Sequence, residues 1–300
     1  MKKIALSIFI FLIPVLFSCT ANFAKETEYI TSYYSKQEIS SFWDVTALCY
    51  VGENMTEYNI RPFLDADVSH NDFAGISEKI IGLKMLEISG YDISPYNLEY
   101  LKEALTELTA EDDKNGYKLP IFERIFGLYA FKLAGIEYSE DAIESYARHI
   151  LTFQKEDGGF SAHSDTGDTD TTSAIVPLLV YLRDKDGFSE AISSSSGFLR
   201  RAKNKDDTYS YSGTANSSST ATALSALLAL GFTNQDEDIG DISLALATFR
   251  LPDGSYSYDK YGRTDLLCCA QALIAYHDFA TESSLWLSVL QNELQITPTE

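Results

Sequence analysis

The sequence predicts an all-α protein built from helical hairpins. Three observations carry that expectation. The first is an alternation between amphipathic helices and helices that are apolar on nearly every side, a pattern that a helix tolerates only when it is buried. The second is a loop plan that returns along the chain. Gly159-Phe160-Ser161-Ala162-His163 lines up with Thr208-Tyr209-Ser210-Tyr211-Ser212 and with Ser255-Tyr256-Ser257-Tyr258-Asp259, and the anchors Phe160, Tyr209 and Tyr256 are 49 and 47 residues apart. Self-similarity at such a period marks an array of one supersecondary unit. The third is the near absence of strand alternation across six candidate helix pairs. Such pairs either stack as an open solenoid or close into a ring. In a ring of six, the apolar helices form an inner barrel and the amphipathic ones surround it.

The first residues read as an export signal. Lys2 and Lys3 precede an apolar run over 4–17, too short to span a bilayer comfortably and of secretory length. Leu16-Phe17-Ser18-Cys19 resembles a bacterial lipobox, in which Cys19 is acylated and becomes the mature N-terminus. The expected organisation is therefore a lipoprotein signal peptide at 1–18, a lipidated segment with a first outer helix at 19–38, and one helical domain over 39–300. Its clearest repeats lie at 140–280.

The elements follow in order. Residues 24–37 are polar and Tyr-containing and suit an outer helix. Phe42 to Tyr50 is apolar and ends near Gly52. Residues 53–73 have no clear period. A capped apolar helix covers 77–89. Leu98, Leu101, Leu105 and Leu108 form the stripe of an amphipathic helix over 98–109, and 111–116 reads as a charged turn. Residues 119–133 are apolar and end at Gly135. Ser139 caps an amphipathic helix that runs to about Lys155. A polar loop leads to an apolar helix over 171–182. The same alternation repeats at 189–203 and 221–230, then at 239–251 and 265–279. Leu285, Trp286, Val289 and Leu290 mark a short closing helix.

Composition narrows the partners. The formal charge is −21, and −23 once Lys2 and Lys3 are removed with the signal. A surface this acidic disfavours nucleic acid and anionic headgroups. Cys49, Cys268 and Cys269 have no paired spacing, so they form neither a disulfide framework nor a zinc signature. They read as small apolar helix residues, with a bridge from Cys49 to Cys268 or Cys269 as the alternative. No cofactor and no metal is expected.

At Gln154-Lys155-Glu156-Asp157-Gly158-Gly159-Phe160 the chain resembles the repeat of terpenoid cyclases and protein prenyltransferases, roughly Q-x-x-D-G-G followed by Trp or Phe. The copy at 203–209 is degraded, and Arg250-Leu251-Pro252-Asp253-Gly254-Ser255-Tyr256 keeps the Asp-Gly and the aromatic. The resemblance implies an α/α toroid of six helical hairpins. It implies a structural role for the motif: Gly ends the outer helix in a left-handed conformation, the aromatic packs behind it, and Gln bonds free helix-end groups.

Asp168-Thr169-Asp170-Thr171-Thr172-Ser173 resembles the D-x-D-D-T-A motif of acid-initiated terpene cyclases, with Thr171 in place of the last Asp and Ser173 in place of Ala. The resemblance implies that Asp170 protonates an alkene, which requires a carboxyl kept protonated by burial, with Asp168 beside it. The competing reading makes both aspartates N-terminal helix residues favoured by the dipole. The prenyltransferase side of the resemblance implies a zinc set of Asp, Cys and His, which Asp265, Cys268 and His277 do not complete.

In a ring, every outer-to-inner loop falls on one rim. The loops at 159–170, 207–219 and 254–264 therefore present His163, Asp165, Tyr209, Tyr211, Tyr256, Tyr258, Tyr261 and Arg263 together, a surface suited to a small molecule, a glycan or a peptide. The leading expectation is a cell-surface lipoprotein, held to the membrane by lipid on Cys19, whose toroid acts as a binding or interaction module. The alternatives are a terpene-cyclase-like enzyme using Asp170 or a prenyltransferase-like transferase. A further alternative, a polysaccharide lyase or glycosidase, would need a paired acid and base that the sequence does not provide.

Overall fold

The computed structural model describes residues 23–296, so the signal segment and Cys19 lie outside the described residues. The chain is helical over 23–34 (α1). Then follow α2 (Phe42–Tyr50), a one-turn α3 (Arg61–Leu64), α4 (Phe73–Ile88), α5 (Leu98–Lys114), α6 (Ile121–Ala134), α7 (Glu140–Leu151) and α8 (Thr169–Tyr181). The chain continues through α9 (Phe188–Ala202), α10 (Ser217–Ala229), α11 (Glu237–Ala247), α12 (Leu266–Thr281) and α13 (Leu285–Gln291).

These elements form the α/α toroid. The even-numbered helices α2 to α12 are the inner barrel. They pack side by side in chain order, and α12 packs against α2 to close the ring. The odd-numbered helices α1 to α11 are the outer members of six hairpins. The inner helices are apolar all round because both faces meet protein. α7 and α9 carry one apolar stripe each, buried at Ile143, Tyr146 and Ile150 and at Phe188, Ala191 and Leu199.

Closure rests on contacts between the last repeat and the first helix. The Tyr34 hydroxyl donates to Leu266 O at 2.9 Å, the Tyr256 hydroxyl donates to Glu26 at 2.9 Å, and Arg250 pairs with Glu26 at 3.1 Å. Gly254 shows why the third motif copy keeps its glycine. Its φ is +91°, and a Cβ there would stand 2.6 Å from the Tyr29 carbonyl of α1. Gly158 stands in the same relation to the Ser194 carbonyl of α9, with φ +86° and 2.6 Å. Gln154 of that motif donates to the Gly158 and Ala191 carbonyls, tying its own turn to the next outer helix.

Several expected boundaries shift. α4 begins at Phe73, capped by the Asp72 side chain on Gly75 N, rather than at 77. α5 runs on to Lys114, because Asp112 and Asp113 of the expected turn serve the fold: Asp112 accepts from Lys118 N and Leu119 N, and Asp113 pairs with the buried Arg124. The stretch over 53–73 contains α3, the shortest outer helix, whose end is held by the buried Lys79. Its ammonium donates to the carbonyls of Phe63, Leu64 and Ala66. Cys49, Cys268 and Cys269 are buried and free, so no bridge forms.

The loop after α9 contains a small antiparallel hairpin, β1 (Tyr209–Tyr211) and β2 (Thr214–Asn216), with Tyr209 opposite Asn216. Ser212 and Gly213 turn it, both at positive φ, the conformation of a two-residue hairpin loop. α13 breaks the regular plan. α6 and α8 touch sparingly, and α13 wedges against both.

Candidate functional site

The barrel encloses a cavity of about 300 Å³. Its position follows from a register common to the inner helices. Asp168, Asn216 and Asp265 are the N-caps of α8, α10 and α12, each accepting from a first-turn amide. Four residues past each cap, Thr172, Thr220 and Cys269 accept from the backbone N of Phe160, Tyr209 and Tyr256, at 2.9, 2.9 and 3.2 Å. Those bonds bind the aromatic anchors to the inner helices and fix the rotation of each helix. The residues two past the caps, Asp170, Ser218 and Leu267, then point to the cavity. So do those six past, Ala174, Thr222 and Gln271, and nine past, Pro177, Ser225 and Ile274. The same register on α2 and α6 supplies Trp43, Phe122, Phe126 and Tyr129.

The wall is two-sided. α2, α6 and α13 contribute aromatic faces. Trp286 of α13 stacks on Tyr129 with centroids 4.6 Å apart and meets Trp43 and Phe126 edge-on at 5.6 and 5.4 Å. Ser284, the N-cap of α13, also faces the cavity. α8, α10 and α12 contribute small, hydroxylated and amide side chains. Phe122 and Leu267 line the cavity and are both 41% exposed, which places them at its mouth.

Asp170 is the one acid in this lining. Its Oδ1 is buried and makes no hydrogen bond. Burial pushes its pKa up; the Ser219 hydroxyl holds it down in part and the Asp168 charge raises it further. Ser219 and Asp170 nevertheless make no bond of ordinary geometry. Asp168 has a different task. Its Oδ1 accepts from Thr171 N at 2.7 Å as the helix cap, and it does not line the cavity. The two aspartates that the motif pairs are thus separated into a cap and an inward-facing acid.

The rim expected from the loops is only partly a surface. Tyr209 and Tyr256 are fully buried. They are the anchors behind the loops, and the Tyr256 hydroxyl is engaged with Glu26 and Tyr276. Neither is part of the exposed rim expected from the loops, which corrects their place in it. Tyr211, Tyr258 and Tyr261 are exposed, Tyr261 almost completely. The second and third loops do converge, since Ser217 N donates to Tyr258 O at 2.9 Å and Lys260 pairs with Asp206 at 3.0 Å. Tyr211 and Tyr258 stand exposed on these two converging loops. His163, Asp165 and Arg263 stand exposed on their loops and do not line the cavity.

Sequence reasoning missed the aromatic wall and Trp286. Part of the signal was available in the cap register: on α6, α8, α10 and α12 the residues two, six and nine past the N-cap all line the cavity. Among the described residues no three His, Cys, Asp or Glu side chains gather as a metal-ligating group.

The sequence matches no protein-family model. No curated protein is significantly similar in sequence. Solved structures are similar in fold. One is a type II terpene cyclase, MstE from Scytonema, in complex with its substrate geranylgeranyl dihydroxybenzoate. It aligns with a TM-score of 0.59 at 10% identity, covering 89% of this chain and 99% of that one. The toroid described above is therefore a fold of the terpene-cyclase type.

Proposed function

We propose that the protein binds a small apolar molecule in the toroid cavity and that Asp170, protonated there, acts on it as a general acid. The observation that carries this reading is a half-buried carboxyl, its Oδ1 buried and without a partner, in the lining of an otherwise uncharged, aromatic-lined cavity. Burial without a cation raises the pKa of such a group and so favours the protonated form that can donate. The similarity in fold to a type II terpene cyclase supports the same reading.

The step is simple to balance. The alkene π pair takes the Asp170 proton to form a C–H bond, leaving a carboxylate and a carbocation. The carbocation reacts onward within the ligand and loses a proton at the end, and a proton returned to the Asp170 carboxylate, directly or through water at the mouth, restores the acid for the next turnover. The faces of Trp43, Phe126, Tyr129 and Trp286 supply negative quadrupole to the passing cation. Water is kept away by the same aromatic wall. Asp168 is not a participant on this reading; it holds the helix end that presents Asp170.

The test is Asp170→Asn with a polyprenyl alkene as substrate. Turnover should fall by orders of magnitude while binding persists. Turnover that survives the substitution removes Asp170 from the mechanism.

A second reading has its own observation. Tyr211, Tyr258 and Tyr261 are exposed aromatics on the second and third loops, which suits a surface interaction module for a glycan or peptide. Substituting all three by Ser should abolish such binding and leave cavity binding intact; unchanged glycan and peptide binding would reject this reading.

We also propose that the chain is exported and lipid-anchored through Cys19 on the outer side of a bacterial membrane. The lysines and apolar run over 2–17 and the lipobox-like Leu16-Phe17-Ser18-Cys19 support this. Radiolabelled palmitate should enter the wild type and not Cys19→Ala; equal labelling would refute it.

A further inference from the structure

The cavity lining contains hydrogen-bonding groups that the protein itself does not satisfy. The Ser173 and Ser284 side chains are 5% and 3% exposed, line the cavity, and have hydroxyl oxygens that are buried without any partner. Neither has a visible structural task. Ser284 is the N-cap of α13 but makes no side-chain cap bond. Ser173 sits four residues before Pro177, which lies inside α8 and has no N–H to give. The Ser173 carbonyl therefore also lacks its helical donor. On the facing helices, Ser218 donates to Gln271 Oε1 at 2.6 Å, leaving the Gln271 amide nitrogen as a donor. A buried polar group left unpaired costs about as much as a lost hydrogen bond, and natural cores avoid it. Two such hydroxyls, on residues that line one cavity, call for a ligand that completes them.

The charge of the lining is as informative. It contains no Lys, Arg or His, and its one carboxyl is that of Asp170. A phosphate or carboxylate placed there would meet no cation and a carboxyl at the wall. Desolvating an unpaired anion is far more costly than desolvating a hydroxyl.

We infer that the ligand is an uncharged apolar molecule bearing a hydroxyl group, its hydrocarbon body against the aromatic wall and its hydroxyl bonded by Ser173 and Ser284. This rests on the cavity reading above and adds the class of molecule it selects. A hydroxyl fits better than a carbonyl, because it accepts from one serine hydroxyl and donates to the other, whereas a carbonyl only accepts. The arrangement excludes prenyl diphosphates as ligands of this cavity.

The experiment compares farnesol, farnesene and farnesyl diphosphate by calorimetry on the wild type and on Ser173→Ala/Ser284→Ala. Two neutral hydrogen bonds predict about tenfold tighter binding of farnesol than of farnesene by the wild type. Farnesyl diphosphate should bind more weakly than either. In the double variant the affinity for farnesol should fall to that for farnesene. Farnesene should bind both proteins equally, which also shows that the variant is folded. Should the double variant unfold, each single Ser→Ala change is expected to lower the preference about threefold. Equal wild-type affinities for farnesol and farnesene, a preference that survives the substitutions, or tight binding of the diphosphate would each overturn the inference. Failure of every probe to bind the wild type would instead overturn the cavity reading on which it rests.

Discussion

Asp278→Asn should make the protein more stable at neutral and alkaline pH, against the usual consequence of altering a buried charged residue. Asp278 is fully buried at the end of α12. Its Oδ1 accepts from the Tyr50 hydroxyl and from Leu285 N, both at 2.9 Å, so it joins α12 to α2 and to the start of α13. Its Oδ2 has no partner. Burial pushes its pKa up to about 7, against the opposing pull of Ser225, Tyr50 and the Leu285 amide. The unfolded chain returns it to 3.8. Because the folded value is the higher one, the stabilisation is complete below 3.8, declines as the pH rises, and is fully lost above about 7. The rise from 3.8 to about 7 corresponds to about 4 kcal/mol in all, of which about 3 kcal/mol falls between pH 5 and pH 8. Asn keeps an acceptor for Tyr50 and Leu285 and adds a donor for Ser225, without a charge to desolvate. Urea unfolding of both proteins at pH 5 and pH 8 measures the difference directly. The wild type should lose about 3 kcal/mol more than the variant over that interval. Asp44, pushed up to about 6 by burial, contributes in the same direction to both proteins and cancels in the comparison. Parallel behaviour of the two proteins across this range would refute the argument.

Other expectations test the ring and its cavity. Gly254→Ala should destabilise by at least 2 kcal/mol more than Gly213→Ala in denaturant unfolding: both carry the ~1–2 kcal/mol of a left-handed residue, but only Gly254 would press a Cβ against the Tyr29 carbonyl. Equal costs would mean that the seam yields. Trp286→Ala should cost about 2–3 kcal/mol, below the range for a fully buried Trp because this one is half-buried. It should also admit bulkier apolar ligands in a size series; an unchanged size limit would show that Trp286 does not bound the cavity.

The fold class was legible in the sequence because burial leaves its mark on composition. Helices over 171–182, 221–230 and 265–279 have no polar face, so they had to lie inside others that do, and the structure places them as α8, α10 and α12. Local chemistry was equally readable: Ser139 caps α7, and Gly135 ends α6 at φ +62°. The hairpin over 209–216 escaped because three-residue strands carry almost no periodicity, although Ser212-Gly213 between two short extended runs was its signal.

The roles of side chains were decided elsewhere. Tyr209, Tyr256 and Tyr258 are alike in the sequence, each an aromatic in a polar loop. Only the bonds from Thr220 and Cys269 to the backbone of Tyr209 and Tyr256 turn those two rings inward and leave Tyr258 exposed. Asp168 and Asp170 stand two residues apart, and the helix rotation makes one a cap and the other an acid in the cavity lining. The sequence by itself determined the order of inner and outer helices, since the amphipathic period is a property of neighbouring residues. Closure of the ring and the cavity it encloses depended on tertiary structure, because Glu26 meets Tyr256, and Trp286 meets Trp43, across more than two hundred residues of chain. No local pattern encodes a contact whose partners come together only when the last repeat reaches the first.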